Sequence, residues 1–271
     1  MILRRIARFA PPGARRAVVG AIADLKGLPL RLSDPVRRRD PWNFWHNVGD
    51  GDFLAIGATL LANLQDHAGL RPIDQVLDIG CGNGRVAAHL APVLRAGGGY
   101  VGFDVSRRGI QDCRRQFANE PHMHFELLDI RNREYNARGR VAEIDTVFPA
   151  RDGSVDLAFA TSVFTHMRMP GVRRYLAETA RVLRPAGRFA FTAFAIEPGR
   201  EASAGFPFQP FDATSAAVDA RYPERAIAHW RVALEAAVAQ AGLRLGDFLR
   251  GHWTTGGEYE GSQDLFVAVK P

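Results

Sequence analysis

In the run VLDIGCGNGR, Val76 to Arg85, glycine takes every second position from Gly80 to Gly84, a pattern that suits neither a strand nor a helix interior. A glycine turn that leaves an apolar strand and opens a helix brings backbone N–H groups close to a ligand, because no Cβ holds the ligand away. About 24 residues beyond Gly80, the apolar run GYVGFD ends on Asp104. That is the position from which a carboxylate accepts both hydroxyls of a ribose, so the pair predicts a bound nucleoside. A dinucleotide site would want its third glycine three residues after the second, where this chain has Arg85.

Strand-like runs recur at QVLDIG, GYVGFD, MHFELLD, VDLAFAT and RFAFTAFAI. Helical stretches around 52–69, 84–95, 106–118 and 171–183 surround them, and alternation of this kind implies a doubly wound α/β fold with a mostly parallel sheet. A Pro/Gly/Phe-rich linker, EPGREASAGFPFQPFD, leads to a helix expected over 223–241 and two last strands, LRLGDFL and DLFVAV. Only a Gly-rich loop joins these two, which leaves no room for a crossover and predicts an antiparallel hairpin closing a seven-stranded sheet. The expected organisation is a helical, basic and aromatic appendage over 1–50 and one catalytic domain over 51–271.

At this point the sequence resembles the class I S-adenosylmethionine-dependent methyltransferases over roughly 70–195. Asp78, Gly80, Gly82 and Gly84 match the family's first motif as D-x-G-x-G-x-G, Asp104 its second-strand acid, and Asp129 in ELLDI its third-strand acid. DGSVDLAFATSVFTHM and YLAETARVLRPAGRFAFT are similar to its fourth-strand segment and fifth-strand lead-in. The resemblance implies S-adenosyl-L-methionine as cofactor, with its methionine end on the Gly80–Gly84 loop, including Cys81, and with Asp78 near its amino group. It implies Asp104 on the ribose, Val105 beside the adenine, Asp129 and the Ile130 amide on the adenine edge, and Thr161 and Ser162 along the carboxypropyl side.

Methyl transfer from a sulfonium needs orientation and, for a hydroxyl or a protonated amine, a base. His166 in SVFTHM is the titratable residue in the loop after the fourth strand and is the candidate base. Tyr135 and Asn136, in the long connection 130–149, and Trp45 and Phe208, in flanking aromatic clusters, are candidates for the acceptor side. The fourth-strand loop has neither an Asn/Asp-Pro-Pro-aromatic signature nor a Pro-Cys nucleophile, which argues against bases of nucleic acids as acceptors. It also lacks clustered acids, so no metal is expected. The expected reaction is O-methylation of a small metabolite or saccharide; N-methylation of a small amine, a non-catalytic cofactor-binding scaffold and an NAD-dependent oxidoreductase are the rivals.

With 46% hydrophobic and 24% charged residues, the 271-residue chain has ordinary globular composition. Two cysteines make no disulfide framework, and no run approaches the roughly 18 apolar residues of a membrane span, so a cytoplasmic protein is expected. The net charge of +6 is carried by arginine, because Lys26 and Lys270 are the only lysines. Arg4, Arg5, Arg8, Arg15 and Arg16 precede the first acid, Asp24, so this arm either reflects composition or lies on an anionic membrane surface. No specific nucleic-acid partner is expected.

Overall fold

The computed structural model describes residues 52–133, 135–200 and 207–271, with scattered positions between 21 and 33. The arginine arm, the aromatic cluster Trp42, Phe44, Trp45 and His46, and Phe206 lie outside the described residues.

Helix α1 (Phe53–Asp66) starts at Asp52, whose carboxylate accepts the amides of Leu54 and Ala55 at 3.1 and 3.0 Å, the usual N-cap arrangement. Strands β1 (Gln75–Ile79), β2 (Gly99–Asp104), β3 (Met123–Leu127), β4 (Val155–Ala160) and β5 (Leu183–Ile196) follow, with helices α2 (Ala87–Leu90), α3 (Arg107–Gln116) and α4 (Met169–Val182) interleaved. The parallel order is β3-β2-β1-β4-β5, so the strand order reverses between β1 and β4. Ligands of such sheets bind in the crevice at the carboxyl ends of the strands beside that reversal. Strand β4 is buried at all six positions, which is why it reads as a continuous apolar run and not as an alternation.

The last hairpin, β9 (Arg244–Leu249) and β10 (Asp264–Val269), is antiparallel, and β10 pairs with β5. These seven strands are extended to ten by β6 (Gln209–Asp212), β7 (Ser215–Ala217) and β8 (Ile227–Trp230), with β8 running parallel to the end of β5. The helix expected over 223–241 is therefore shorter. Helix α5 spans Arg231–Gln240, after a 3₁₀ turn at Pro223–Arg225 and the strand β8. Its buried face is Leu234, Ala237 and Val238, a helical period that begins only after Trp230, whereas Ile227, Ala228 and His229 are buried in succession as in a covered strand. The helix expected over 84–95 is likewise continuous only at Ala87–Leu90.

The two sheet faces carry two cores. Leu77, Ile79, Phe189 and Phe191 pack under α4 and α5, while Val76, Tyr100, Leu157 and Phe159 pack under α1, α2 and α3. Phe191 and Phe266 stack across β5 and β10 with centroids 4.8 Å apart. Among the described residues, no helix is long and apolar enough to cross a membrane.

Phe191 is fully buried and touches Phe164, Phe189 and Phe266. Phe191→Ala is expected to cost about 3–5 kcal/mol of stability in urea unfolding; a loss below about 1 kcal/mol would mean that the β5–β10 seam is not packed as described.

Candidate functional site

Beyond Ile79 the chain turns through Gly80, Gly82 and Gly84 with φ of +77°, +56° and +78°. All three lie in the left-handed region, where a side chain would be strained. Gly80 and Gly84 have a further reason to be glycine. A Cβ on Gly80 would come within 2.6 Å of Val163 Cγ2, so the turn after β1 and the loop after β4 approach each other only through that hydrogen. A Cβ on Gly84 would meet Cys113 Sγ and Phe117 at 3.1 Å, which assigns Gly84 to packing against α3.

The amides of Gly80 and Cys81 donate to the Phe103 carbonyl at 2.9 and 3.0 Å, tying the turn to the end of β2. One residue on, Asp104 accepts the Gly82 amide on Oδ2 at 2.9 Å and the Ser106 amide on Oδ1 at 2.7 Å. Burial raises the Asp104 carboxyl, and these amide bonds oppose the rise. Asp78 is pushed up to about 7 by burial, against the pull of a 2.7 Å hydrogen bond from the Tyr100 hydroxyl; the Asp104 charge adds to the rise and Arg85 opposes it.

These groups open onto a cavity of about 870 Å³. Of the sequence-predicted residues, Asp78, Gly80, Cys81, Gly82, Asp104, Val105, Ile130, Tyr135, Thr161, Ser162 and His166 line it. Burial drives the Cys81 thiol well up, so it presents a neutral sulfur.

Four residues expected at the site stand elsewhere. Gly84 faces α3, as above. The Asp129 carboxylate binds the Arg140 guanidinium at 2.6 Å on the exterior, and that pairing holds it below the usual carboxylate range. Asn136 braces the same loop, donating to the Ile130 carbonyl at 3.0 Å and to Asp129 at 3.4 Å. Phe208 packs with Phe194 and Trp253, at centroid distances of 5.3 and 5.9 Å, in a separate aromatic cluster. Trp45 lies outside the described residues.

Past β4, Ser162 takes φ +60°, a costly conformation for a residue with a Cβ. A closed ring of hydrogen bonds holds it: the Ser162 amide donates to Thr192 Oγ1 (2.8 Å), the Thr192 hydroxyl to Gln263 Oε1 (2.6 Å), and Gln263 Nε2 to Ser162 Oγ (3.0 Å). Gln263 comes from the loop between β9 and β10. Asp264 fastens that loop by accepting the Gly251 and Ala195 amides, each at 2.9 Å, and the Trp253 indole at 2.7 Å.

His166 ends a 3₁₀ turn, Phe164–His166. Its Nδ1 lies 2.8 Å from the Glu224 carbonyl and its Nε2 lies 3.5 Å from the Tyr135 hydroxyl, whose ring stands edge-on at 5.5 Å. A carbonyl can only accept, so Nδ1 carries the proton and Nε2 of the neutral ring is the acceptor.

Sequence reasoning missed Glu143, Asn132, Gln263 and the cavity role of Arg85. Glu143 lines the cavity from the long β3–β4 connection, and burial pushes its carboxyl to about 7 despite a 3.4 Å hydrogen bond from Asn132. Arg85 was legible as the residue after the third glycine. The others carry no motif, because loops fold them in from distant parts of the chain.

Residues 77–191 match the family model described as a methyltransferase domain. The chain is 32% identical over 118 residues to phthiotriol/phenolphthiotriol dimycocerosates methyltransferase 1 of Mycobacterium ulcerans, a match covering 44% of this chain and 36% of that protein. The crystal structure of geranyl diphosphate C-methyltransferase from Streptomyces coelicolor A3(2) is similar with a TM-score of 0.56 at 16% identity, covering 80% of each chain. The structure of the [4+2]-cyclase SpnF is similar with a TM-score of 0.52 at 23% identity, covering 88% of this chain and 76% of that one. Residues 77–191 thus match a methyltransferase domain, on a fold shared with solved methyltransferases that bind S-adenosylmethionine. The chain spans about a third to a half of the length of the curated relatives it matches.

The setting of Asp78 makes a direct prediction. Its carboxyl should titrate near pH 7 in the protein without ligand, followed by carbon-13 NMR, and higher in Tyr100→Phe, which removes the hydrogen bond that favours the charged form. Titration near pH 4 in both proteins would contradict the burial described.

Proposed function

We propose that the chain binds S-adenosyl-L-methionine and methylates a hydroxyl of a small metabolite or saccharide, with His166 as general base. Several features fit the cofactor. The Asp104 oxygens each accept one amide and keep a lone pair for a ribose hydroxyl. The glycine turn is a backbone cradle that a Cβ at Gly80 could not occupy without moving Val163. Val105 and Ile130 offer apolar walls for an adenine, and Asp78 offers a carboxylate to an ammonium group. When bound, the cofactor supplies an electrophilic methyl carbon and a neutral thioether leaving group.

The observation that carries the reading is His166, held in the tautomer that accepts a proton at Nε2 by the 2.8 Å contact of Nδ1 with the Glu224 carbonyl. Nε2 would take the acceptor hydroxyl's proton as the oxygen attacks. Tyr135 fixes the ring plane and offers a hydroxyl for orienting the acceptor. The similarity to the Mycobacterium ulcerans phthiotriol/phenolphthiotriol dimycocerosates methyltransferase supports an alcohol as acceptor. SpnF, a [4+2]-cyclase, shares the fold, so the fold alone does not fix the reaction.

N-methylation of a small amine is the second reading, and Glu143 favours it. An ammonium beside this buried carboxyl would supply the counter-charge that burial leaves wanting.

His166→Ala should lower transfer of labelled methyl groups to a panel of sugars, small alcohols and amines by about 10²–10⁴-fold. Affinity for S-adenosylhomocysteine should stay within about twofold of wild type, since His166 is assigned to the acceptor and not to the cofactor. Unchanged transfer in His166→Ala would overturn the base assignment, and the products formed separate O- from N-methylation.

A further inference from the structure

One short segment, residues 224–229, grips the turn that carries His166 at both ends. The Glu224 carbonyl lies 2.8 Å from His166 Nδ1 at the end of the turn. Later in the same segment, His229 Nε2 lies 3.2 Å from the carbonyl of Phe164, the residue that begins the turn. Within the turn itself that carbonyl receives only the Met167 amide, at a longer 3.4 Å.

His229 is fully buried and does not line the cavity, so anything it does at the site it does through the turn. Burial holds its ring below the usual histidine range, while the Phe164 and Met167 backbones favour the charged form. A neutral ring has one proton, and facing a carbonyl it must carry that proton on Nε2. Among the described residues His229 Nδ1 has no hydrogen-bond partner. An apolar side chain would avoid the cost of burying that nitrogen, so the use of a histidine here lies in the bond that Nε2 makes. The backbone leaves the ring little room to move. Strand β8 aligns His229 with Ala195 of β5 on one side and with Ser215 of β7 on the other. Just before it, the Ala226 carbonyl accepts the Val218 amide at 3.1 Å, which ties the Glu224 end to the same strands.

We infer that His229 is a positioning residue, whose Nε2–H bond to the Phe164 carbonyl acts with the Glu224 carbonyl to aim the His166 ring into the cavity. The inference rests on the reading of His166 as base and names what orients it. It also gives strands β6 to β8, which lie beyond the seven-stranded sheet, a task at the site.

Nitrogen-15 NMR of the histidine rings in the full-length chain tests this without an acceptor. In the wild type, neutral His166 should carry its proton on Nδ1 and leave Nε2 bare. In His229→Leu the His166 signals should move towards an average of the two tautomers, because the turn is released from one end. In His229→Gln, whose amide can donate from about the place of Nε2, they should return towards those of the wild type. Methyl transfer to the same panel of acceptors should fall about tenfold in His229→Leu, mainly in kcat, and recover to within about threefold in His229→Gln, as expected for one hydrogen bond lost and replaced. His166 signals unchanged in both variants, or a loss of transfer in His229→Gln equal to that in His229→Leu, would overturn the inference. Moved His166 signals with unchanged transfer would support the positioning and overturn the base assignment instead.

Discussion

The hydrogen bond from the Gly82 amide to Asp104, 2.9 Å long, joins the two elements on which the site depends. It can form only because three alternating glycines take left-handed backbone angles and fold the chain back over the end of β2. It also fixes one carboxylate oxygen beside the mouth of the cavity, with the Ser106 amide fixing the other. Gly80 then lets the loop after β4 close to within van der Waals range, and Gly84 lets α3 pack beneath. A side chain at Gly80 would push the turn and the loop after β4 apart.

Electrostatics gives the cavity a direction. Asp78, Asp104 and Glu143 line it, and burial raises all three carboxyls. Burying a charged carboxylate is unfavourable, and a ligand carrying positive charge offsets that cost. Three acidic side chains on one cavity thus favour a ligand that carries positive charge.

Much of this was legible in the sequence, and the reasons for the failures are physical. Strands β1 to β5 announce themselves because covered parallel strands must be apolar on both faces, and the Gly-Asp spacing reveals the nucleotide end because a turn and a strand terminus are local features. Asp129 stood in a family position, yet nothing local in ELLDI discloses that Arg140, 11 residues on, takes its carboxylate outward. Strand β8 was read as helix because Ala-rich sequence from Ala226 onward suits both states, and only pairing with the end of β5 decides. Gln263 and Glu143 reach the cavity from loops whose course is set by distant anchors, Asp264 to Gly251 and Trp253 in one case and the Ile130–Val141 bridge in the other. Phe208 was placed by aromatic content alone, and aromatic content serves packing as readily as recognition.

The central claim is that Asp104 and the glycine turn form a nucleoside site specific for the S-adenosyl group. Its most direct test is thermal stability of the wild type and of Asp104→Ala with S-adenosylhomocysteine and, separately, with NAD. At about 100 times its dissociation constant, S-adenosylhomocysteine should stabilise the wild type by roughly 2.7 kcal/mol, a shift of several degrees. Asp104→Ala should respond far less, and NAD should move neither protein. A wild type indifferent to S-adenosylhomocysteine, or one stabilised by NAD instead, would contradict the account.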